Sequence, residues 1–388
     1  MRKISDTIAR LAALHAQHVP YSAVTGALDA LQSLTVAGSN PGALKAWCHV
    51  PDDLRKGAPL VVVLHGCTQN AAGYDRHSGW SQLADEVGFT VLYPEQQHAN
   101  NPSLCFNWFL PADVRRNAGE ALSIRQMIEA MVVAYKLDRE RIFITGLSAG
   151  GAMAAAMLAT YPEVFAGGAI IAGLPYGSAT TVPEAFDRMR GHGGPCERNL
   201  QRAIRSASDH HGPWPRISIW HGAADHTVSA SNAEAIAAQW RGIHGLDKVP
   251  THSEMAGRLA RQVWLDTSGE TTLEINMIGG MGHGTPIGND GLGTPGPYML
   301  NVGISSTREI TRFWRIAGTQ KSVFERSAPK SPAVQRQHSR GQTPTTETAK
   351  VKSQELTAIH EFSPPVASAT TRVKKILEDA LRAAGLMR

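Results

Sequence analysis

The residues Gly146-Leu147-Ser148-Ala149-Gly150 stand between an apolar run and a stretch of small residues. Before them, Arg141-Ile142-Phe143-Ile144-Thr145 reads as a buried strand. After them, Gly151-Ala152-Met153-Ala154-Ala155-Ala156-Met157-Leu158 reads as a helix. A G-x-S-x-G sequence between a strand and a helix is a sharp turn that lifts the serine hydroxyl out of a sheet. The glycines permit the turn because they carry no Cβ to clash. A chain with this element must supply a strand that ends under a helix N-terminus. That requirement selects an architecture of alternating strands and helices.

The rest of the chain fits. Short apolar, β-branched runs occur at Leu60–Leu64, Phe89–Tyr93, Arg141–Thr145, Ala169–Ala172, Ile217–Trp220 and Leu273–Ile278. Most are near-continuous rather than alternating, the mark of central parallel strands covered on both faces. Helical patterns lie between several of them; Ile124, Met127, Ile128 and Met131 fall on one helix face. The expected fold is α/β, a mostly parallel, doubly wound sheet. Residues 1–35 read as a helical lead-in and 36–318 as the body. Residues 319–370, rich in Ser, Thr, Pro, Gln and Lys, read as a disordered linker, and 371–388 as a short basic amphipathic helix. The net charge of +5 belongs to the tail: residues 319–388 carry 12 Lys+Arg and 6 Asp+Glu, so the body is about neutral. A nucleic-acid partner is therefore not expected. No apolar stretch is long enough to span a bilayer, and no apolar segment follows the basic N-terminus as in a signal peptide.

A serine hydroxyl needs an adjacent base, and the base needs a carboxylate to hold its tautomer. On an α/β-hydrolase sheet they follow in the order serine, acid, histidine. The acid candidate is Asp225, which follows the run Ile217–Trp220 and a glycine turn. Asp209 and Asp247 are rivals with no strand leading into them. The base candidate is His283, in the glycine-rich loop after Leu273–Ile278. Among the 16 histidines, His210, His211 and His226 read as surface residues and His65 as a support for its own loop. The two oxyanion donors are expected from the backbone N–H groups of Ala149, after the nucleophile, and Cys67, in the loop after Leu60–Leu64. The four cysteines can pair in three ways; a Cys67–Cys105 bridge, one of the pairings open, would brace that loop. There is no HExxH, no paired cysteine spacing, no phosphate-binding lysine loop and no GxGxxG, so neither metal nor cofactor is expected. Trp108 reads as a buried aromatic with substrate contact as the alternative.

Taken together, Leu64-His65-Gly66-Cys67-Thr68-Gln69-Asn70, Cys105-Phe106-Asn107-Trp108-Phe109, Gly146-Leu147-Ser148-Ala149-Gly150-Gly151, Trp220-His221-Gly222 with Asp225, and Gly282-His283-Gly284 resemble the polyhydroxybutyrate (PHB) depolymerase family of esterases. That family's relatives include feruloyl and acetyl-xylan esterases. The resemblance covers about residues 36–316. It implies an α/β-hydrolase domain, a Ser148–Asp225–His283 triad, a Cys67 oxyanion amide, and hydrolysis of poly- or oligo(3-hydroxybutyrate) and similar short esters through an acyl-enzyme on Ser148. A feruloyl or acetyl-xylan esterase is the alternative within enzymes. A non-catalytic protein binding polymer granules or surfaces is the alternative from another class. The resemblance implies an extracellular location; the N-terminus, without a signal pattern, leaves the cytoplasm as the alternative. The sequence does not address oligomeric state.

Overall fold

The computed structural model describes residues 31–316. Ten strands form one mixed, largely parallel sheet: β1 (Gln32–Ser33), β2 (Lys45–His49), β3 (Leu60–Leu64), β4 (Thr90–Glu95), β5 (Ile142–Leu147), β6 (Gly167–Ile171), β7 (Arg216–Gly222), β8 (His252–Ala256), β9 (Leu259–Leu265) and β10 (Thr271–Ile278), in the order β1-β2-β4-β3-β5-β6-β7-β10-β9-β8. The six central strands, β4 to β10 in that order, run parallel. The outer strands on both sides are antiparallel. A separate parallel pair, β11 (Thr285–Ile287) and β12 (Met299–Asn301), follows the last sheet strand.

The apolar runs have the burial their composition calls for. On β3, Leu60, Val62 and Leu64 enter one core while Val61 and Val63 enter the other. On β5, Ile142 and Ile144 face the first core, Phe143 and Leu147 the second. The first core is closed by α4 (Gly119–Tyr135), α5 (Ala149–Thr160) and α8 (Ser231–His244), through residues such as Met127, Met153 and Trp240. The second is closed by α1 (Ala71–Ser78), α2 (Trp80–Val87) and α9 (Ser306–Phe313), where Trp314 stacks on Trp80 and Phe143 at centroid distances of 5.9 and 5.0 Å. Every residue of α5 is buried, which is why its sequence is apolar all round rather than striped. The remaining helices are α3 (Pro111–Val114), α6 (Val182–Met189) and α7 (Glu197–Arg205).

The six strands read from the sequence are all present, with β5 reaching two residues further, to the serine turn. The outer antiparallel strands β2, β8 and β9 were not expected, because their sequences are mixed; β8, at the edge, exposes four of its five residues. β1 lies inside the segment read as a helical lead-in and pairs with β2. Residues 1–30 of that segment lie outside the described residues, as do the linker and the C-terminal helix read beyond residue 318.

The strand order places the site. After β3 the chain adds β4 on one side and then returns to add β5 on the other. The crevice at the carboxyl ends of β3 and β5 is thus a switch point, where loops diverge and leave room for a ligand.

Candidate active site

β5 runs to Leu147, Ser148 turns the chain at φ 57°, ψ −117°, and α5 begins at Ala149. A non-glycine residue in this region carries about 1–3 kcal/mol of strain and persists only where its surroundings impose it. Here they do. The Ser148 amide donates to the Ile171 carbonyl at 2.9 Å. A Cβ on Gly146 would lie 2.4 Å from the Gly150 carbonyl oxygen, and one on Gly150 would lie 2.4 Å from that of His65. The side chain of Ser148 does not cap α5, and its hydroxyl has no hydrogen-bond partner among the described residues.

Asp225 stands three residues beyond β7, and His283 in the loop after β10, the parallel neighbour of β7. His283 Nδ1 donates to Asp225 Oδ2 at 2.7 Å. Because an ionised carboxylate only accepts, the proton sits on Nδ1, and Nε2 keeps a free lone pair. The other carboxylate oxygen accepts the amides of Thr227 and Val228 at 2.8 and 2.9 Å. Burial alone would raise the Asp225 pKa. The hydrogen bonds from His221 and His283, the His283 charge and the Val228 amide outweigh it and hold the carboxyl well below its ordinary range. His221 is fully buried beside this group, donates from Nε2 to the Val228 carbonyl at 2.8 Å and lies 3.5 Å from Asp225.

The loop after β3 faces the serine turn. Cys67 and Cys105 form a disulfide, one of the pairings left open by the sequence. The Thr68 amide donates to the Ser103 carbonyl at 2.7 Å, tying the same two loops a second time. Among the described residues the N–H groups of Cys67 and Ala149 have no acceptor. The Ala149 amide is one of the four that a helix N-terminus leaves without an intrahelical acceptor. His65 lies buried beneath this loop, not at its surface. Burial pushes its imidazole pKa down, against the Gly66 hydrogen bond and the Glu95 charge.

The structure thus brings Ser148, Asp225, His283, Cys67 and Ala149 to the carboxyl ends of β3, β5, β7 and β10. The rivals fall elsewhere: Asp209, His211, His226 and Asp247 are exposed, and His210 is bonded to the Pro213 carbonyl. Trp108 is 8% exposed, packed in the core beside Phe109. Sequence reasoning gave His221 no role of its own and passed over Tyr298, whose ring stands edge-on to His283 at 6.0 Å. Tyr298 carries no sequence signal of its own, since only the fold brings it beside the histidine. Among the described residues no group of three or more His, Cys, Asp or Glu is arranged to hold a metal ion, and no helix is long and apolar enough to cross a membrane.

A family model described as esterase PHB depolymerase matches residues 46–263. The chain is 42% identical over 318 residues, 81% of its length, to poly(3-hydroxyalkanoate) depolymerase C of Paucimonas lemoignei, covering 77% of that protein. It is 31% identical over 268 residues to a probable acetylxylan esterase A of Aspergillus flavus, covering 67% of this chain and 86% of the other. Among solved structures, the acetyl xylan esterase from Aspergillus awamori aligns with a TM-score of 0.63 at 26% identity, over 74% of this chain and 99% of its own. The chain belongs to the esterase PHB depolymerase family and is a carboxylic ester hydrolase.

Proposed function

Starting from that membership, we propose that the chain hydrolyses esters of short hydroxyalkanoates, poly- or oligo(3-hydroxybutyrate) above all, through an acyl-enzyme on Ser148. The observation that carries the catalytic reading is Ser148 at positive φ at the end of β5, with the hydrogen-bonded Asp225–His283 pair at neighbouring strand ends. His283 Nε2 takes the proton of Ser148 as Oγ attacks the ester carbonyl carbon. Asp225 holds the tautomer and stabilises the imidazolium. The tetrahedral oxyanion accepts from the amides of Cys67 and Ala149; one such donor contributes on the order of 3 kcal/mol. Collapse expels the alcohol, which takes the proton from His283. Water then repeats the sequence, releasing the acid and restoring the serine.

The hydroxyalkanoate assignment is supported by the 42% identity to the Paucimonas protein, against 31% to the Aspergillus flavus esterase. The second reading, a carbohydrate acetyl esterase, is favoured by the near-complete coverage of the Aspergillus awamori structure. Turnover of 3-hydroxybutyrate oligomers, acetylated xylan and methyl ferulate at matched enzyme concentration separates the readings. Oligomers are the expected best substrate by kcat/KM; a preference for acetylated xylan overturns the assignment. An extracellular, oxidising setting is supported by the Cys67–Cys105 bridge. Thiol titration of protein from culture fluid should then find only Cys48 and Cys196 reactive on unfolding; titration of all four would count against that setting.

A further inference from the structure

We propose that Glu120 is a positioning residue for the oxyanion amide of Cys67, acting through Gln96 and His65. The inference rests on the reading of Cys67 as an oxyanion donor. Glu120 lies in the first turn of α4, one strand away from the serine turn, and is 1% exposed. No cation pairs with it among the described residues. Its carboxyl group instead gathers the loop between β4 and α3. Oε1 accepts Gln96 Nε2 at 2.6 Å and Asn107 Nδ2 at 2.9 Å, and Oε2 accepts the Asn107 amide at 2.9 Å. A buried carboxyl group without a cation is costly, so its donors mark a fixed arrangement.

Two routes lead from this anchor to the oxyanion loop. In the first, the Glu120-held side chain of Gln96 fixes its own backbone, whose amide donates to His65 Nε2 at 3.1 Å. That makes Nε2 the acceptor, so Nδ1 carries the proton and donates to the Gly66 carbonyl at 2.8 Å. The Gly66 carbonyl and the Cys67 N–H belong to one trans peptide plane and point in opposite directions. Holding the oxygen toward His65 therefore aims the N–H away from it, toward the crevice. In the second route, Gln96 Nε2 also donates to the Cys105 carbonyl at 3.1 Å, and Asn107 joins Asn101, whose side chain accepts the Cys105 amide at 3.3 Å. Cys105 is bonded to Cys67. The carboxyl group thus sets both the backbone and the side chain of the donor residue without touching substrate.

A stabilising role alone and a positioning role part at the tetrahedral adduct. The test compares Glu120→Gln, which keeps one acceptor oxygen, with Glu120→Leu, which keeps none. The readouts are kcat and KM for p-nitrophenyl acetate, the Ki of phenylboronic acid, which forms a tetrahedral adduct on a nucleophilic serine, and the melting temperature. The expected result is a kcat loss of about 10- to 100-fold for Glu120→Leu, a smaller loss for Glu120→Gln, a parallel rise in boronate Ki, and an unchanged KM. A lowered melting temperature with kcat and Ki as in wild type overturns the proposal, as does a KM that rises in step. Should Glu120→Leu fail to fold, Gln96→Leu removes the side chain that both routes share while leaving the Asn107 bonds in place, and unchanged kcat and Ki in that variant overturn it equally. The wild type and Ser148→Ala serve as controls. If Ser148→Ala keeps turnover and boronate binding, the reading of the site itself fails and the inference falls with it. If that control holds, the Glu120 result speaks to Glu120 alone.

Discussion

At the end of β5, Ser148 is held by the main chain: glycines too close to neighbouring carbonyls for a Cβ, a hydrogen bond from its amide to the Ile171 carbonyl, and a helix buried on every side. At the end of β3, its parallel neighbour, Cys67 is held largely by side chains, a disulfide to Cys105 and the bonded chain His65, Gln96, Glu120, beside the backbone bond from Thr68 to Ser103. The two regions face one crevice and are held by opposite means. The first is rigid because there is no room to move. The second is rigid because polar groups are satisfied. The serine turn should therefore answer to changes of volume, and the facing loop to changes of chemistry. The Asp225–His283 pair resembles the second region in kind, since hydrogen bonds fix its tautomer.

The largest effect is expected where chemistry alone is altered. Asp225→Asn leaves the volume unchanged but removes the acceptor that keeps the proton on His283 Nδ1, and kcat on a p-nitrophenyl ester should fall about 10⁴-fold. A loss of only a few-fold would show that the tautomer is fixed by other means. Next comes the volume test of the serine turn. Gly150→Ala places a Cβ 2.4 Å from one carbonyl oxygen and 2.5 Å from another, both backbone. Neither can swing aside, so stability should fall by about 4 kcal/mol or more, beyond ordinary overpacking. A denaturation midpoint close to wild type would break the contrast between the two regions. Third is the tie across 38 residues between Cys67 and Cys105. Loop-closure entropy sets the effect of Cys105→Ser at about 3–4 kcal/mol, with kcat lowered as well if the Cys67 amide holds the oxyanion as proposed, because its loop loses its brace. A dithiothreitol titration of wild-type activity checks the same point without substitution.

A fourth effect is a pH dependence of stability. Burial, with a smaller contribution from the Asp113 charge, pushes the Glu120 carboxyl up from 4.5 to about 8 against its hydrogen bonds. The folded state therefore holds this proton more tightly than the unfolded state. Its contribution is complete below the ordinary value and is lost as pH rises through about 8. Urea midpoints across that range should fall more steeply for wild type than for Glu120→Gln; equal slopes would contradict the assignment. Asp225 acts with the opposite sign. Its lowered pKa contributes stability above the ordinary carboxylate range, which is lost as pH falls below it.

The same contrast explains what was legible in the sequence. The serine turn is encoded by contiguous residues, so Gly146 to Gly150 reveal it directly. Asp225 and His283, which the fold brings into hydrogen-bond contact, stood out as candidates because each follows an apolar strand and a glycine turn. The central strands were legible for a similar reason, since burial on both faces leaves an unbroken apolar run. β8, His252-Ser253-Glu254-Met255-Ala256, is an edge strand with four exposed residues and carries no such run. Glu120 and Gln96 were not legible. A buried Glu in the first turn of a helix reads as an ordinary favourable charge at a helix start, and its partners lie 24 and 13 residues away. His65 was placed correctly as a support for its loop, but what it supports depends on Gln96, 31 residues on.

The central claim is that Ser148 is the nucleophile. Its most direct test is to treat the protein with diethyl p-nitrophenyl phosphate, digest it, and locate the phosphorylated residue by mass spectrometry. The account predicts one diethylphosphoryl group per chain, on Ser148, with esterase activity lost in proportion to labelling and no label on Ser148→Ala. Stoichiometric labelling at another residue with loss of activity, or full ester turnover by Ser148→Ala, would contradict it.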